Sequence, residues 1–189
     1  MRVTCSDSFF DDLDNCWAKD YIEDMAKIGL LEGTGERVFS PDKTLSRAEY
    51  VAMLSRVFEL ETAEYSGGIS DISGDDWHMP YIEAAYKYGL IPSQMLRNNC
   101  FEPDKNITRE EICALSVAFY EYFERMAQNA SIEHFSDKSK ISDWAIPYVE
   151  KGMALRFING VSEILFEPES NATRAQAATI LKRIYIKTY

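Results

Sequence analysis

The sequence is short of glycine and proline, with 9 and 6 of them in 189 residues. That scarcity excludes fibrous and linker-like chains. Basic residues are also in deficit: 20 Lys and Arg stand against 31 Asp and Glu, a formal net charge of −11. General nucleic-acid binding needs a basic surplus, so no nucleic-acid partner is expected. The same deficit argues against docking on an anionic membrane by bulk charge. No apolar run approaches the roughly 20 residues that cross a bilayer, so no membrane insertion is expected. The start, MRVTCSDSFFDDLDN, lacks the basic residues and apolar stretch of a secretory signal. The chain is then either cytosolic or a piece of a longer, processed protein. No CxxC pair occurs among Cys5, Cys16, Cys100 and Cys113, and their spacing fits no zinc pattern. Cys113 reads as a buried free thiol in an apolar helical stretch, while Cys5 and Cys16 are placed to close a small loop in an oxidising compartment. The two histidines, His78 and His134, are isolated and start no metal spacing. The stretch 71–76, DISGDD, lacks the spacing and terminal Glu of a calcium loop. No metal or cofactor is expected. Apolar residues are plentiful: 46% are hydrophobic and 13% aromatic. That is too much for a disordered chain and enough for a sizeable core.

Sliding the sequence against itself reveals three repeats. Trp17, Trp77 and Trp144 each stand four residues before a tyrosine: Tyr21, Tyr81 and Tyr148. F-x-P triplets follow at 39–41, 101–103 and 166–168, and an arginine stands six residues after each proline: Arg47, Arg109 and Arg174. From Trp to Arg the separation is 30, 32 and 30 residues, and the period is 62 to 65. The repeats span residues 8–60, 69–123 and 134–187, with short polar linkers between them.

Each repeat reads as helix, loop, helix. Trp17, Tyr21, Met25 and Ile28 fall at helical spacing, as do Trp77, Tyr81, Ala85 and Tyr88, then Trp144, Tyr148 and Gly152, giving one apolar stripe per first helix. Gly29 and Gly89 are placed to end their helices, and Arg156 takes that position in the third repeat. The phenylalanine of F-x-P reads as an anchor pinning the loop to the core. The second helix opens on a capping box in every repeat: Ser46-x-x-Glu49, Thr108-x-x-Glu111 and Thr173-x-x-Gln176. A single helix–loop–helix unit has little to bury its stripes against. Three units can cover one another, so the expectation is one compact all-α assembly.

Packing accounts for most recurring positions, but less readily for the arginines. Arg47, Arg109 and Arg174 each sit in the first helical turn, where a cation meets the positive end of the helix dipole at a cost of a few tenths of a kcal/mol. One reading is a salt bridge to a neighbouring acid. The other is an anion site, in which helix N–H groups and a guanidinium converge on a carboxylate or phosphate. One Asp per repeat precedes the Trp: Asp12, Asp71 and Asp137. Each reads either as a cap or turn residue or as an acceptor for sugar hydroxyls. Trp17, Trp77 and Trp144 read either as core or as platforms for a sugar face. Arg, Asp and Trp together suit an acidic carbohydrate.

These landmarks resemble the S-layer homology domain, present as three tandem modules. Its pattern runs F-x-D, W-A-x-x-Y-I, G-L-I-x-G, then F-x-P-x-x-x-(I/L)-T-R-A-E. This chain has FDD, WAKDYI, GLLEG and FSPDKTLSRAE in repeat one. Repeat two has ISD, YI after the Trp, GLI and FEPDKNITREE; repeat three has FSD, WAIPYV, ING and FEPESNATRAQ. The match covers about residues 8 to 187. The resemblance implies a pseudo-threefold all-helical unit with grooves between repeats. It implies non-covalent attachment to the wall of Gram-positive-type cells, extracellular location, and membership of a larger exported protein. The implied ligand is a secondary cell-wall polysaccharide, often pyruvylated. Arg47, Arg109 and Arg174 would meet the pyruvate carboxylate; Asp12, Asp71, Asp137, Trp17, Trp77, Trp144, Gly33 and Gly160 would complete the ligand-binding set.

The motifs depart from the pattern at Ser46, Glu110 and Gln176, and Ser93 replaces the loop glycine in repeat two. Glu110 beside Arg109 would neutralise it locally, so the grooves using Arg47 and Arg174 rank above the one using Arg109. Two further readings compete with a non-catalytic anchor. One is a helical protein–protein assembly module without glycan. The other is a carboxylate-pair glycosidase, against which stands the threefold recurrence of the acids as scaffold positions.

Overall fold

A computed structural model of the protein describes residues 8–124 and 127–189. Cys5, and with it the Cys5–Cys16 pairing, lies outside the described residues. Among the described residues six α-helices follow in order: α1 (Lys19–Lys27), α2 (Arg47–Val57), α3 (Met79–Lys87), α4 (Arg109–Phe123), α5 (Ile146–Ala154) and α6 (Arg174–Thr188). Among the described residues β-pairing occurs only as isolated bridges, so the fold is all-α. No helix there is long and apolar enough to cross a membrane.

The three second helices, α2, α4 and α6, begin on complete capping boxes. Ser46, Thr108 and Thr173 accept from the backbone N–H groups of Glu49, Glu111 and Gln176, and those side chains accept in return from the cap N–H groups. The next two donors of each helix leave the repeat altogether. Arg47 N–H donates to Lys105 O at 2.9 Å, Arg109 N–H to Ser170 O at 3.0 Å, and Arg174 N–H to Lys43 O at 2.9 Å. One residue on, Ala48, Glu110 and Ala175 donate to the carbonyls of Pro103, Pro168 and Pro41. Each second-helix start is thus satisfied by the F-x-P loop of the following repeat, and the third repeat closes onto the first. Near the centre the cycle repeats through Ile107 N–H to Leu45 O, Ala172 N–H to Ile107 O and Leu45 N–H to Ala172 O. Leu45, Ile107 and Ala172 are fully buried there. The result is a closed pseudo-threefold unit in which each repeat relies on the next to satisfy its backbone.

The first helices complete the cycle from outside. α3 packs on α2, α5 on α4, and α1 on α6. At the α4–α5 contact, Gly152 faces Cys113 so closely that an added Cβ would overlap the cysteine Sγ. Cys113 is the buried free thiol the apolar stretch suggested, and burial pushes its pKa up to about 12 against the opposing charge of Arg109. Phe39, Phe101 and Phe166 anchor their loops with no exposed surface. The residue after each adopts a positive φ (Ser40 59°, Glu102 55°, Glu167 56°). Gly29 and Gly89 end their helices at φ 76° and 68°, and Arg156 does so at 60°.

At the start of α1 and α5 the buried line is offset by one residue from the expected apolar stripe. Ala18, Ile22 and Met25 are buried, whereas Trp17 and Ile28 are exposed. Ala145, Val149 and Gly152 form the buried line of α5. The reason is that α1 starts at Lys19. Trp17 belongs to the preceding turn and points off the helix face that its spacing suggested. Trp17 and Trp77 are 65% and 58% exposed, which removes them from the core; Trp144 is half-buried.

Candidate functional site: the grooves between repeats

The motif arginines project from the helix starts onto the next repeat's loop. Arg174 Nε donates to Phe39 O at 2.8 Å and Nη2 to Glu32 O at 2.7 Å, with the guanidinium 4.5 Å above the Phe39 ring. Arg109 repeats the arrangement: Nε to Phe166 O at 2.8 Å, Nη2 to Asn159 O at 2.7 Å, and the Phe166 ring at 5.1 Å. Each is about 95% buried, and neither has an ion pair among the described residues. Burial lowers the pKa of both below the usual arginine value, opposed only by acids at longer range and, for Arg109, by Cys113: Glu49 and Asp12 for Arg174, Glu167 and Asp137 for Arg109. A cation taken from water without a carboxylate partner is costly. In both, Nη1 has no hydrogen-bond partner among the described residues, and each arginine lines a cleft.

Arg47 is different. Its Nε and Nη2 bind the Glu111 carboxylate, and Nη1 binds Phe101 O at 2.7 Å and Glu102 Oε2 at 3.1 Å. Glu111 is buried, which alone would raise its pKa. The hydrogen bonds and charge of Arg47 outweigh that and hold it below the usual carboxylate range. The salt-bridge reading therefore holds for Arg47 and fails for Arg109 and Arg174. The premise that Glu110 neutralises Arg109 is corrected: the acid that pairs with a motif arginine is Glu111, and it meets Arg47. Glu110 turns away and accepts from the N–H and hydroxyl of Ser142 at 3.0 and 2.8 Å. The anion-site reading also loses its helix N–H groups, which are spent on the caps and the neighbouring loops. Only guanidinium donors remain.

The aspartates hold the loops that hold the arginines. Asp12 accepts from Phe39 and Ser40 N–H at 2.9 and 2.7 Å, Asp71 from Phe101 and Glu102, and Asp137 from Phe166 and Glu167. Both oxygens of each carboxylate are occupied in fixing the positive-φ turn. The phenylalanine so fixed presents its carbonyl and ring to the arginine. For Asp137, burial raises the pKa, but the loop N–H groups prevail and it lies below the usual range. These three residues act as turn residues that position arginines.

Two clefts are built alike. One, of about 230 Å³, brings together Trp77 of repeat two, Arg174 of repeat three, and Glu32, Gly33, Glu49 and Arg56 of repeat one. The other, of about 350 Å³, brings together Trp17 of repeat one, Arg109 of repeat two, and Asn159, Gly160, Gln176 and Arg183 of repeat three. An added Cβ at Gly33 would lie 2.5 Å from Val38 O, and one at Gly160 would lie 2.6 Å from Leu165 O. The two glycines thus allow the tight loop whose preceding carbonyl receives the arginine. The same order would bring Trp144 to Arg47 and α4, where Glu111 already holds the cation. Asp12, Asp71 and Asp137 do not line either cleft. Sequence reasoning missed Arg56 and Arg183; both stand nine residues after their motif arginine, where repeat two has Ala118.

The closed helical ring with inter-repeat clefts defines a class of tandem-repeat all-α domain. The chain belongs to the S-layer homology domain family, whose model matches residues 9–51, 68–113 and 134–178. It is 39% identical over 176 residues to the amylopullulanase of Thermoanaerobacterium thermosulfurigenes, covering 93% of this chain and 9% of that protein. It is 36% identical over 173 residues to the exoglucanase XynX of Acetivibrio thermocellus, covering 91% and 16%. It is 25% identical over 167 residues to the cellulosome-anchoring protein of that organism, covering 82% and 35%. The chain therefore spans a small part of the length of these relatives.

Proposed function

We propose that the chain is a non-catalytic anchoring module. It attaches a larger exported protein to the outer face of a Gram-positive-type cell by binding an acidic, pyruvylated secondary cell-wall polysaccharide. The carrying observation is the pair of buried arginines, Arg109 and Arg174, each without a carboxylate partner among the described residues and each at a cleft beside an exposed tryptophan. An incoming carboxylate would supply the missing counter-charge through Nη1, in a site dry enough for a charge-assisted bond to count. The tryptophan offers an apolar face to the sugar ring. The name of the cellulosome-anchoring relative supports the anchoring role.

Only two of the three grooves bind in this reading, because Glu111 occupies Arg47 as an internal carboxylate. Asp12, Asp71 and Asp137 contribute by holding the arginine-bearing loops, and Gly33 and Gly160 by letting those loops close. The test is co-sedimentation with purified Gram-positive cell walls before and after removal of the non-peptidoglycan polymer. Binding should be lost with the polymer. Undiminished binding to bare peptidoglycan, or no binding to intact walls, would refute the proposal.

A further inference from the structure

The two open clefts share a backbone frame but not a charge. Around Arg174, the Arg56 guanidinium lies 3.6 Å from Glu32 Oε2, and Glu49 lines the same cleft. Two guanidiniums and two carboxylates line this cleft, but among the described residues only Arg56 is paired, and Arg174 stays open. Around Arg109 the corresponding positions are Asn159 in place of Glu32 and Gln176 in place of Glu49. Both acids are replaced by amides: Gln176 matches Glu49 in shape, and Asn159 is one methylene shorter than Glu32. Arg183 replaces Arg56, and its one hydrogen bond among the described residues goes to a carbonyl, Phe157 O at 3.1 Å. Among the described residues no acid lines this cleft, although the chain carries a net charge of −11. It therefore presents two guanidiniums that no side-chain carboxylate there pairs.

We propose that the Arg109 groove is specific for a saccharide segment bearing two anionic groups, one for Arg109 and one for Arg183, whereas the Arg174 groove takes one carboxylate. Gln176 and Asn159 are the specificity-determining residues. Either residue as glutamate would place a carboxylate where the second anionic group must sit. Gln176 keeps the capping bond, with Oε1 accepting Thr173 N–H at 3.2 Å, so the amide costs the fold nothing that Glu supplied. This inference rests on the anion-binding reading of the grooves and adds a ligand preference to one of them.

The test is an NMR titration of the whole chain. The probes are glucuronic acid, with one carboxylate, and digalacturonic acid, with two. The indole N–H signals of Trp17 and Trp77 report the two grooves separately. The dianion should bind at the Trp17 groove on the order of tenfold tighter than the monoanion, as an extra charge pair across a half-buried cleft implies. At the Trp77 groove the two probes should differ by less than about twofold, since one open charge gives no second pair to gain. Gln176→Glu with Asn159→Glu should erase the preference at Trp17, and Glu49→Gln with Glu32→Asn should create it at Trp77. Equal affinities of the two probes at Trp17, or variants that leave the preference unmoved, would overturn the inference while leaving the anion reading intact. Failure of both probes to shift either indole would overturn the anion reading itself.

Discussion

Removing the positive charge from Arg47 and from Arg174 should have opposite meanings for the fold. The perturbation is Arg→Met, which keeps the apolar stem over the phenylalanine ring and deletes the guanidinium. At Arg47 this strands the buried Glu111 carboxylate, which faces the guanidinium through two hydrogen bonds. Breaking a buried pair by removing one partner costs about 3–5 kcal/mol. Lys105, with Nζ 3.8 Å from Glu111, places the effect toward the lower end. At Arg174 the change gives up two bonds to carbonyls, worth roughly 1 kcal/mol each. It also removes a buried cation that has no ion pair among the described residues, so the two effects largely offset and the net change should stay within about 1 kcal/mol. In urea, with a slope of about 2 kcal/mol per molar for a chain this size, R47M should lower the midpoint by roughly 1.5–2 M and R174M by less than about 0.5 M. Helical CD at 222 nm follows the transition, and urea avoids the ionic screening of guanidinium. Equal destabilisation by the two variants would show Arg174 to be a structural residue like Arg47 and would refute the reasoning.

Other consequences are open to measurement. Gly152→Ala drives a methyl into Cys113 Sγ and should destabilise by about 1–3 kcal/mol; adding Cys113→Ala should recover part of the loss, and a purely additive double variant would argue against that contact. The depressed pKa of Glu111 means that its pairing stabilises the fold above its unfolded-state pKa and is lost as pH falls through its folded-state value. Stability should therefore decline in that acid range, and the decline should shrink in E111Q, as read by urea midpoints taken at several pH values. Asp137→Ala frees the N–H groups of Phe166 and Glu167, which should cost about 1–3 kcal/mol. It should also weaken binding at the Trp17 groove and spare the Trp77 groove, a split visible in the two indole signals.

Much of this was legible in the sequence, because the repeat sets each local feature three times over. The capping boxes are local devices, readable within four residues, and all three form. The F-x-P anchors and the helix-ending Gly29, Gly89 and Arg156 were likewise local. What was not legible depends on which repeat meets which. The first-turn N–H groups of α2, α4 and α6 are consumed by another repeat's loop, which for α6 lies near the opposite end of the chain. No pattern within one repeat reveals that an anion would find those donors already taken. The same holds for Glu110 and Glu111, adjacent acids of which only one turns toward a motif arginine. It is the capping-box residue, and the arginine it meets belongs to the preceding repeat. The tryptophans misled for a smaller reason, since helical spacing was extended two residues beyond the start of each first helix.

The account turns on Arg109 and Arg174 being groove arginines that bind an acidic glycan and are dispensable for folding. The most direct measurement is the fraction of the R109M/R174M double variant that co-sediments with intact, polymer-bearing Gram-positive walls, with urea midpoints taken in parallel. The account predicts that sedimentation falls to the level seen with stripped walls while the midpoint stays within about 1 M of the unaltered chain. Undiminished sedimentation by a folded double variant would contradict it.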